Sequence, residues 1–326
     1  MANIALKEGI PPSALNRARR QRLWDNFFHL TTLFFALVVL ALLGGVMVSL
    51  AIGSWPAFRS FGLGFLVTEV WNPVTDKFGA WAPIYGTLVT SLIAMIIGVP
   101  VSFGIAMFIT ELCPQVLKRP LGIAIELLAG IPSIIYGIWG LFALAPFLQR
   151  TVQPFLIATL GHAPLIGKLF AGPPYGIGIL TAGIILGVMV LPFITSITRD
   201  VFETVPPMLK ESAYGLGATT WEVVWKVVLP YTRVGVIGAV MLGLGRALGE
   251  TMAVTFVIGN AHRIASSILA PGTTISATIA NEFTEAVGDL YTSSLIALGL
   301  ILFVITFIIL ALAKLLLLRL DRQARI

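Results

Sequence analysis

Six apolar runs dominate this chain, and each is long enough to cross a membrane as a helix. They lie at about Phe27–Ile52, Ile84–Glu111, Gly122–Leu148, Gly176–Thr198, Val234–Gly259 and Tyr291–Leu318. A bilayer core needs about 20 residues of helix. Hydrophobic residues make up 57% of the 326 residues and charged residues 11%, against about 25% charged residues in typical soluble domains. The sequence therefore predicts an all-α polytopic membrane protein with six transmembrane helices.

The Lys and Arg residues predict the orientation of these spans. With both termini in the cytoplasm, 15 of the 21 Lys and Arg residues fall in cytoplasmic segments and five fall outside; cytoplasmic loops normally carry this excess. The first span is too long for a signal-peptide core, so we expect it to remain as an anchor. We predict a cytoplasmic basic tail at 1–26, an anchor helix at 27–52, a core of five spans at 84–318 and a cytoplasmic tail at 319–326. The net charge of +6 follows from this topology and predicts no nucleic-acid partner.

One polar segment, residues 206–230, interrupts the apolar pattern. The two prolines that open it can begin a first short helix, and Gly217 can end that helix in a left-handed cap. Thr219 and Glu222 have the spacing of a capping box, which predicts the start of a second short helix. The residues alone therefore indicate a helical hairpin between two spans.

The same segment resembles the cytoplasmic signature of ABC importer permeases, the loop that docks on an ATPase. That signature is Glu-x-Ala, three residues, Gly, nine residues, an aliphatic residue, any residue and Leu-Pro. The matching residues are Glu211, Ala213, Gly217, Val227, Leu229 and Pro230. Ser212 stands where the family usually has Ala, a small departure. The resemblance implies that residues 206–230 couple the chain to a cytoplasmic ATPase; the alternative is a solvated hairpin with no partner.

No motif in the sequence provides an ATPase or metal site. A Gly-x4-Gly-Lys-Ser/Thr loop, which holds nucleotide phosphates, is absent. His29, His162 and His262 are far apart and lack metal-ligand spacing, and Cys113 is the single cysteine. We therefore predict no catalytic residue, no metal and no cofactor, and we expect a partner ATPase to supply the energy.

Two charged residues, Arg246 and Glu250, lie within the predicted fifth span. A charged side chain at the bilayer centre costs about 2.5–3.5 kcal/mol on insertion scales and normally faces a bundle interior or a water-filled path. The i, i+4 spacing predicts that both share one helix face and partly neutralise each other. A guanidinium is the preferred bidentate partner of phosphate oxygens, and a nearby carboxylate can accept a hydrogen bond from protonated phosphate. The pair predicts an oxyanion path; the alternative is an ion pair that only holds this span to a neighbour.

Three segments resemble the phosphate-specific ABC importer permeases. They are residues 243–254, 129–137 and 84–88. Within the first, Gly-Glu-Thr followed by Met-Ala-Val is typical of the PstC subunits, whereas their partner PstA usually departs after the Thr. The resemblance covers nearly the whole chain from Phe27. It implies a type I ABC importer permease-like fold and a subunit that moves inorganic phosphate into the cytoplasm by alternating access.

The family also implies partners and a location. The partners are a second related permease (PstA-like), two copies of a cytoplasmic ATPase (PstB-like), a periplasmic phosphate-binding protein (PstS-like) and phosphate-sensing signalling proteins. The location is the bacterial inner membrane, with both termini in the cytoplasm. Long outer segments at 53–83, 149–175 and 260–290 are candidates to receive the binding protein, or they only cover the bundle.

Two other functions remain open. A permease for molybdate or sulfate shares the docking signature, but the neighbouring arginine and carboxylate argue against a fully ionised oxyanion. A passive anion channel or membrane sensor needs no loop that docks on an ATPase.

Overall fold

The computed structural model describes residues 12–164 and 166–324, which are mostly helical. The helices that the description uses are α1 (Pro12–Phe61), α2 (Trp81–Leu112), α3 (Gln115–Ala129), α4 (Ser133–Leu160), α5 (Ile179–Glu203), α6 (Pro207–Gly215), α7 (Thr220–Leu248), α8 (Met252–Thr255), α9 (Ile275–Glu282) and α10 (Asp289–Ala324). Within the described ranges there is no strand, and one isolated bridge joins Asn72 to Lys77. Six helices are long and apolar enough to cross a membrane. The all-α prediction with six transmembrane helices is therefore confirmed.

The chain divides into two units, residues 1–53 and 54–326. In the first unit, the apolar side chains of α1, such as Phe34 and Leu40, are mostly exposed. A helix with this surface is suited to a bilayer, because lipid hydrocarbon removes apolar side chains from water. The first eleven residues of the predicted basic tail lie outside the described residues, as do 325–326 of the C-terminal tail.

The core of the second unit is built around α5, against which both α2 and α7 pack. Glycines allow these helices to approach closely. A Cβ at Gly183 would lie 2.6 Å from the side chain of Ile93 in α2, and a Cβ at Gly243 in α7 would lie 2.7 Å from Ile194. Small residues at such crossings let helix backbones make extensive van der Waals contact.

The third span differs in its bounds from the predicted Gly122–Leu148. Residues up to Ala129 belong to the separate helix α3, and the spanning helix α4 begins at Ser133 and continues to Leu160. Pro132 has a ψ of 136°, an extended conformation that interrupts the helix. The apolar composition on both sides of this break concealed it, because hydropathy alone does not show where a helix is interrupted inside an apolar run. Helix α3 contacts α5 through a polar pair, since Glu126 lies 2.8 Å from Arg199.

The fifth span also differs from its predicted bounds, Val234–Gly259. Helix α7 ends at Leu248, and after it only the short α8 is helical before the chain becomes irregular. The residues that follow are buried in protein: Ala253, Val254, Val257 and Ile258. The backbone here also finds partners, since the N–H of Gly178 donates to the Val257 carbonyl at 2.8 Å. Irregular backbone at membrane depth is stable where protein buries it, so this apolar run packs into the core.

An aromatic and charged cluster around Glu282 joins residues of the segments 53–83 and 260–290. Glu282 Oε2 accepts hydrogen bonds from Trp71 Nε1 at 2.6 Å and from the Tyr291 hydroxyl at 2.8 Å. His262 Nε2 lies 2.7 Å from Oε1, and the His262 ring stacks on Trp71 with centroids 5.3 Å apart. Burial alone raises the pKa of Glu282, but the hydrogen bonds from His262, Tyr291 and Trp71 outweigh it and lower that pKa below its usual value.

We expect Glu282→Ala to lower the free energy of unfolding by about 1–3 kcal/mol, because it leaves buried donors without an acceptor. Since the folded-state pKa is lowered, the stabilisation is present above the unfolded-state pKa of Glu282 and is lost as the pH falls through the folded-state value. Thermal unfolding of the detergent-solubilised protein at several pH values measures this. The matched control is Glu285→Ala, which removes an exposed carboxylate three residues after Glu282. An equal loss of stability in both variants would contradict the role of the cluster.

Candidate functional site

The predicted docking segment, residues 206–230, begins as the sequence indicates. Pro206 is the N-cap of α6 and Pro207 its first residue. The helix ends at Gly215, and Gly217 then has a φ of +84°, in the left-handed region where glycine carries no steric penalty. The predicted proline start and left-handed glycine turn are both confirmed.

The second helix of the segment starts with the predicted capping box. The Glu222 N–H donates to Thr219 Oγ1 at 3.4 Å, and the Thr219 N–H donates to Glu222 Oε2 at 3.0 Å. This helix is longer than predicted, because it continues through a π-helical turn at Val224–Val228 into the rest of α7. Pro230 occupies the second position after that turn. The second helix of the docking segment and the fifth span therefore form one continuous helix, α7, which begins at Thr220.

One side of the docking segment is packed against the ends of two spans. Val223 and Val228 are buried in a cluster with Phe202 of α5 and Ala106 of α2, and Ala213 of α6 packs against it. This packing holds α6 and the start of α7 against the ends of α2 and α5.

The other side of the segment is exposed and apolar. Leu216 at the turn is 90% exposed and Trp221 is 61% exposed; Glu211 is also exposed. A groove of about 340 Å³ between the two helices is lined by Ala213, Gly217 and neighbouring residues. Exposed groups of large apolar side chains mark sites of contact with a protein or a membrane.

Arg246 lies in the last turn of α7, and Glu250 lies beyond the end of that helix. The prediction that the two residues share one helix face near the middle of a span is therefore wrong. Glu250 Oε1 accepts a hydrogen bond from the Ala253 N–H at 3.3 Å, so this carboxylate caps the first turn of α8. In residues 12–164 and 166–324, Arg246 forms no salt bridge with any carboxylate.

The Arg246 guanidinium lies instead against aromatic residues of neighbouring helices. Its Cζ is 5.9 Å from the ring centroid of Phe193 in α5, and Tyr136 of α4 is close enough to interact with it electrostatically. Arg246 is exposed in the chain. A guanidinium held on an aromatic face keeps its planar set of donors available for an oxyanion.

Sequence reasoning missed the two aromatic neighbours of Arg246. Tyr136 lies in the segment 129–137 that carries the family resemblance, and its hydroxyl donates to the Leu128 carbonyl at 3.0 Å across the break before α4. Phe193 follows Pro192 inside α5. An aromatic residue beside a proline in a span gives only a weak indication of a contact with Arg246, because the packing of the helices decides which side chains come together.

Residues 98–322 match the family model described as binding-protein-dependent transport system inner membrane component. The chain belongs to this family. As a permease of this family with six apolar helices, it is an inner-membrane protein that crosses the bilayer several times.

Several curated relatives of this permease are named as phosphate transport permeases. The chain is 67% identical over 322 residues to "Phosphate transport system permease protein PstC" of Mesorhizobium japonicum, with 98% of each chain covered. Identity to the protein of that name from Pasteurella multocida is 58%, covering 92% of this chain and 93% of the relative. A "Probable phosphate transport system permease protein PstC" of Methanocaldococcus jannaschii is 42% identical, covering 78% of this chain and 81% of the relative. The predicted resemblance to PstC subunits is confirmed.

Solved structures support the fold of this permease. A bacterial ABC transporter involved in the import of the acidic polysaccharide alginate gives a TM-score of 0.58 at 17% identity, covering 91% of this chain and 99% of that chain. The alginate transporter in complex with its pentasaccharide-bound periplasmic protein gives 0.56 at 18% identity, covering 90% and 96%. At this identity the likeness concerns the fold alone, which is that of the ABC importer permeases.

Proposed function

We propose that this chain is the membrane-spanning permease subunit of an ATP-driven importer that moves inorganic phosphate from the periplasm into the cytoplasm. The observation that carries the proposal is the exposed Arg246 guanidinium, held against Phe193 near Tyr136. Relatives named as phosphate transport permeases, at up to 67% identity, favour phosphate over molybdate or sulfate.

In this proposal Arg246 binds phosphate oxygens through two parallel N–H donors, which a guanidinium presents in a fixed plane. The aromatic ring of Phe193 limits the orientations of the guanidinium, so less conformational freedom is lost when the anion binds. Glu250 follows four residues after Arg246 in the sequence, and in this proposal its carboxylate accepts a hydrogen bond from protonated phosphate. Sulfate is fully ionised near neutral pH and offers no such proton.

Transport is coupled to ATP hydrolysis through Glu211, Ala213, Gly217, Leu229 and Pro230 of the docking segment. The exposed apolar side chains at the turn support contact with a protein in the cytoplasm. ATP binding then closes the partner ATPase and displaces the segment, so that the spans alternate between outward and inward openings. The partner supplies the energy, because the sequence carries no Gly-rich loop for nucleotide phosphates.

The complete transporter combines this chain with a PstA-like permease, a PstB-like ATPase dimer and a periplasmic PstS-like phosphate-binding protein, and it associates with phosphate-sensing signalling proteins. Both termini lie in the cytoplasm. Residues 1–26 are a basic tail, 27–52 are the part of α1 that anchors the chain in the lipid bilayer, 84–318 are the permease core and 319–326 are a second tail. The helix α1 extends beyond this anchor at both ends, from Pro12 to Phe61.

The proposal is tested by reconstituting the four proteins in vesicles and measuring phosphate uptake. We expect uptake that requires both ATP and the binding protein and that excess sulfate or molybdate does not inhibit. Uptake without ATP would identify a passive channel, and inhibition by sulfate or molybdate at concentrations similar to phosphate would identify a broader oxyanion permease.

We expect the binding protein to cover the outer segments of this chain. Cysteines introduced at Ser60 and Ser266, both exposed, in a Cys113→Ser background should react more slowly with an aqueous maleimide when the loaded binding protein is docked. The expected decrease is severalfold, because a docked protein excludes the reagent from its interface. A cysteine at exposed Gln115, the first residue of α3, is the control whose labelling rate should not change. Equal labelling of all sites with and without the binding protein would show that the outer segments only cover the helix bundle and do not receive the binding protein.

A further inference from the structure

A buried ion pair joins the docking segment to the second span. Lys210 Nζ of α6 lies 2.6 Å from Glu111 Oε1 at the end of α2. The Glu111 side chain is 6% exposed and that of Lys210 is 18% exposed. A buried carboxylate and ammonium require each other, because removal of one leaves an uncompensated charge in a poorly solvated site.

The part of α2 that carries Glu111 is locally distinct from the rest of the helix. Residues 108–112 form a π-helical turn, and the chain then leaves the helix at Cys113. Lys118 Nζ of α3 donates to the carbonyl of Thr110 at 2.6 Å. The last turn of α2 is therefore bonded by lysine side chains from both α3 and α6. Single π-helical turns inside helices are frequent at functional sites.

An apolar contact reinforces the ion pair. Ala106 of α2 is buried in the cluster that contains Val223 and Val228 of the docking segment, with Ala213 of α6 packed against it. The apolar contact is nondirectional, whereas the ion pair fixes one register of α6 against α2, since a charged group needs its partner within a few ångströms.

We propose that Lys210 and Glu111 are positioning residues that make the docking segment and the adjacent end of α2 move as one unit during transport. The proposal rests on the proposed function and extends it, since it names a second span, besides α7, that receives the movement of the docking segment. Because the ion pair attaches α2 to the docking segment, a movement of the ATPase that displaces this segment also displaces α2.

The first test uses Glu111→Gln, Lys210→Gln and the exchanged pair Glu111→Lys with Lys210→Glu in the reconstituted four-protein transporter. We expect each single variant to assemble with the ATPase and retain basal ATP hydrolysis. Its phosphate uptake, and the stimulation of hydrolysis by loaded binding protein, should fall at least fivefold. The exchanged pair should restore both to within about twofold of the unmodified protein, because its charges again attract.

The matched control is Glu126→Gln. Glu126 pairs with Arg199 at 2.8 Å, which joins α3 to α5 without touching the docking segment, and its loss should leave uptake near normal. Normal uptake in both single variants, loss of assembly in them, or an exchanged pair as impaired as the singles would overturn the proposal.

The second test is independent of the identity of the transported anion. The variant Glu111→Cys with Lys210→Cys, in a Cys113→Ser background, is treated with a short bis-maleimide that joins the two cysteines. If the two elements move as one unit, the cross-link should raise the stimulation of ATP hydrolysis by loaded binding protein, which should be reduced at least fivefold in the untreated double-cysteine protein. A cross-link that abolishes the remaining stimulation would show that the elements separate during the cycle and would overturn the proposal. If the unmodified transporter moves an anion other than phosphate, only the proposed substrate is wrong, and both tests proceed with that anion.

Discussion

Gly217→Val should strongly reduce ATP-driven phosphate uptake while the chain still inserts in the membrane. Gly217 has a φ of +84°, and a β-branched residue in that conformation is a steric outlier that costs about 1–3 kcal/mol. The turn between α6 and α7 must then change, and with it the position of the exposed Leu216. We expect uptake and stimulated ATP hydrolysis to fall roughly tenfold or more, because about 1.4 kcal/mol corresponds to a factor of ten in an equilibrium.

Gly215→Val provides the matched control. Gly215 ends α6 with helical geometry, and no atom lies within 4 Å of the place where its Cβ would stand; the same holds for Gly217. The two substitutions therefore add the same side chain two residues apart, and only one of them requires the left-handed conformation. Normal uptake by Gly217→Val at normal expression would remove the docking segment from the coupling mechanism.

Arg246→Gln should strongly reduce phosphate uptake without preventing assembly or basal ATP hydrolysis. The substitution keeps a polar side chain but removes the charge and the planar pair of donors. Hydrogen bonds to charged groups contribute about 1.5–3 kcal/mol, so we expect uptake to fall about ten- to a hundredfold at limiting phosphate. Arg246→Lys, which keeps the charge without the fixed plane of donors, should retain an intermediate rate.

The double variant Arg246→Gln with Glu250→Gln separates an oxyanion path from a structural ion pair. If the two residues only held helices together, two neutral amides could replace them and uptake would return. Because Glu250 bonds to the Ala253 N–H and not to Arg246, we expect the double variant to import no better than Arg246→Gln. Uptake near the unmodified level in the double variant would leave Arg246 as a structural residue.

Local chemistry made the docking segment predictable from the sequence. A proline that opens a helix, a glycine that turns left-handed and a Thr–Glu capping box each act within a few residues. The structure contains all three, at Pro207, Gly217 and Thr219. No long-range contact was needed to predict them.

The bounds of two spans were not predictable in the same way. An apolar run shows that water is excluded, but it does not show whether lipid or protein excludes it. Val254 and Ile258 are as apolar as a lipid-facing residue, yet protein buries them beyond the end of α7. The same ambiguity misplaced Glu250 on a helix that ends before it, so the relation between Arg246 and Glu250 required the three-dimensional packing.

The continuous course of α7 has a geometric consequence. From Trp221 to Arg246 the helix measures about 38 Å at about 1.5 Å per residue. If a helix of that length tilts as a rigid body by about 5° at one end, its other end moves by about 3 Å, roughly the length of one hydrogen bond. In the proposed mechanism, a small rotation of the docking segment is therefore large enough to move the guanidinium out of reach of a phosphate ion that it binds. Release of phosphate then needs no separate gate at Arg246, because the tilt itself increases the distance between the guanidinium and the anion.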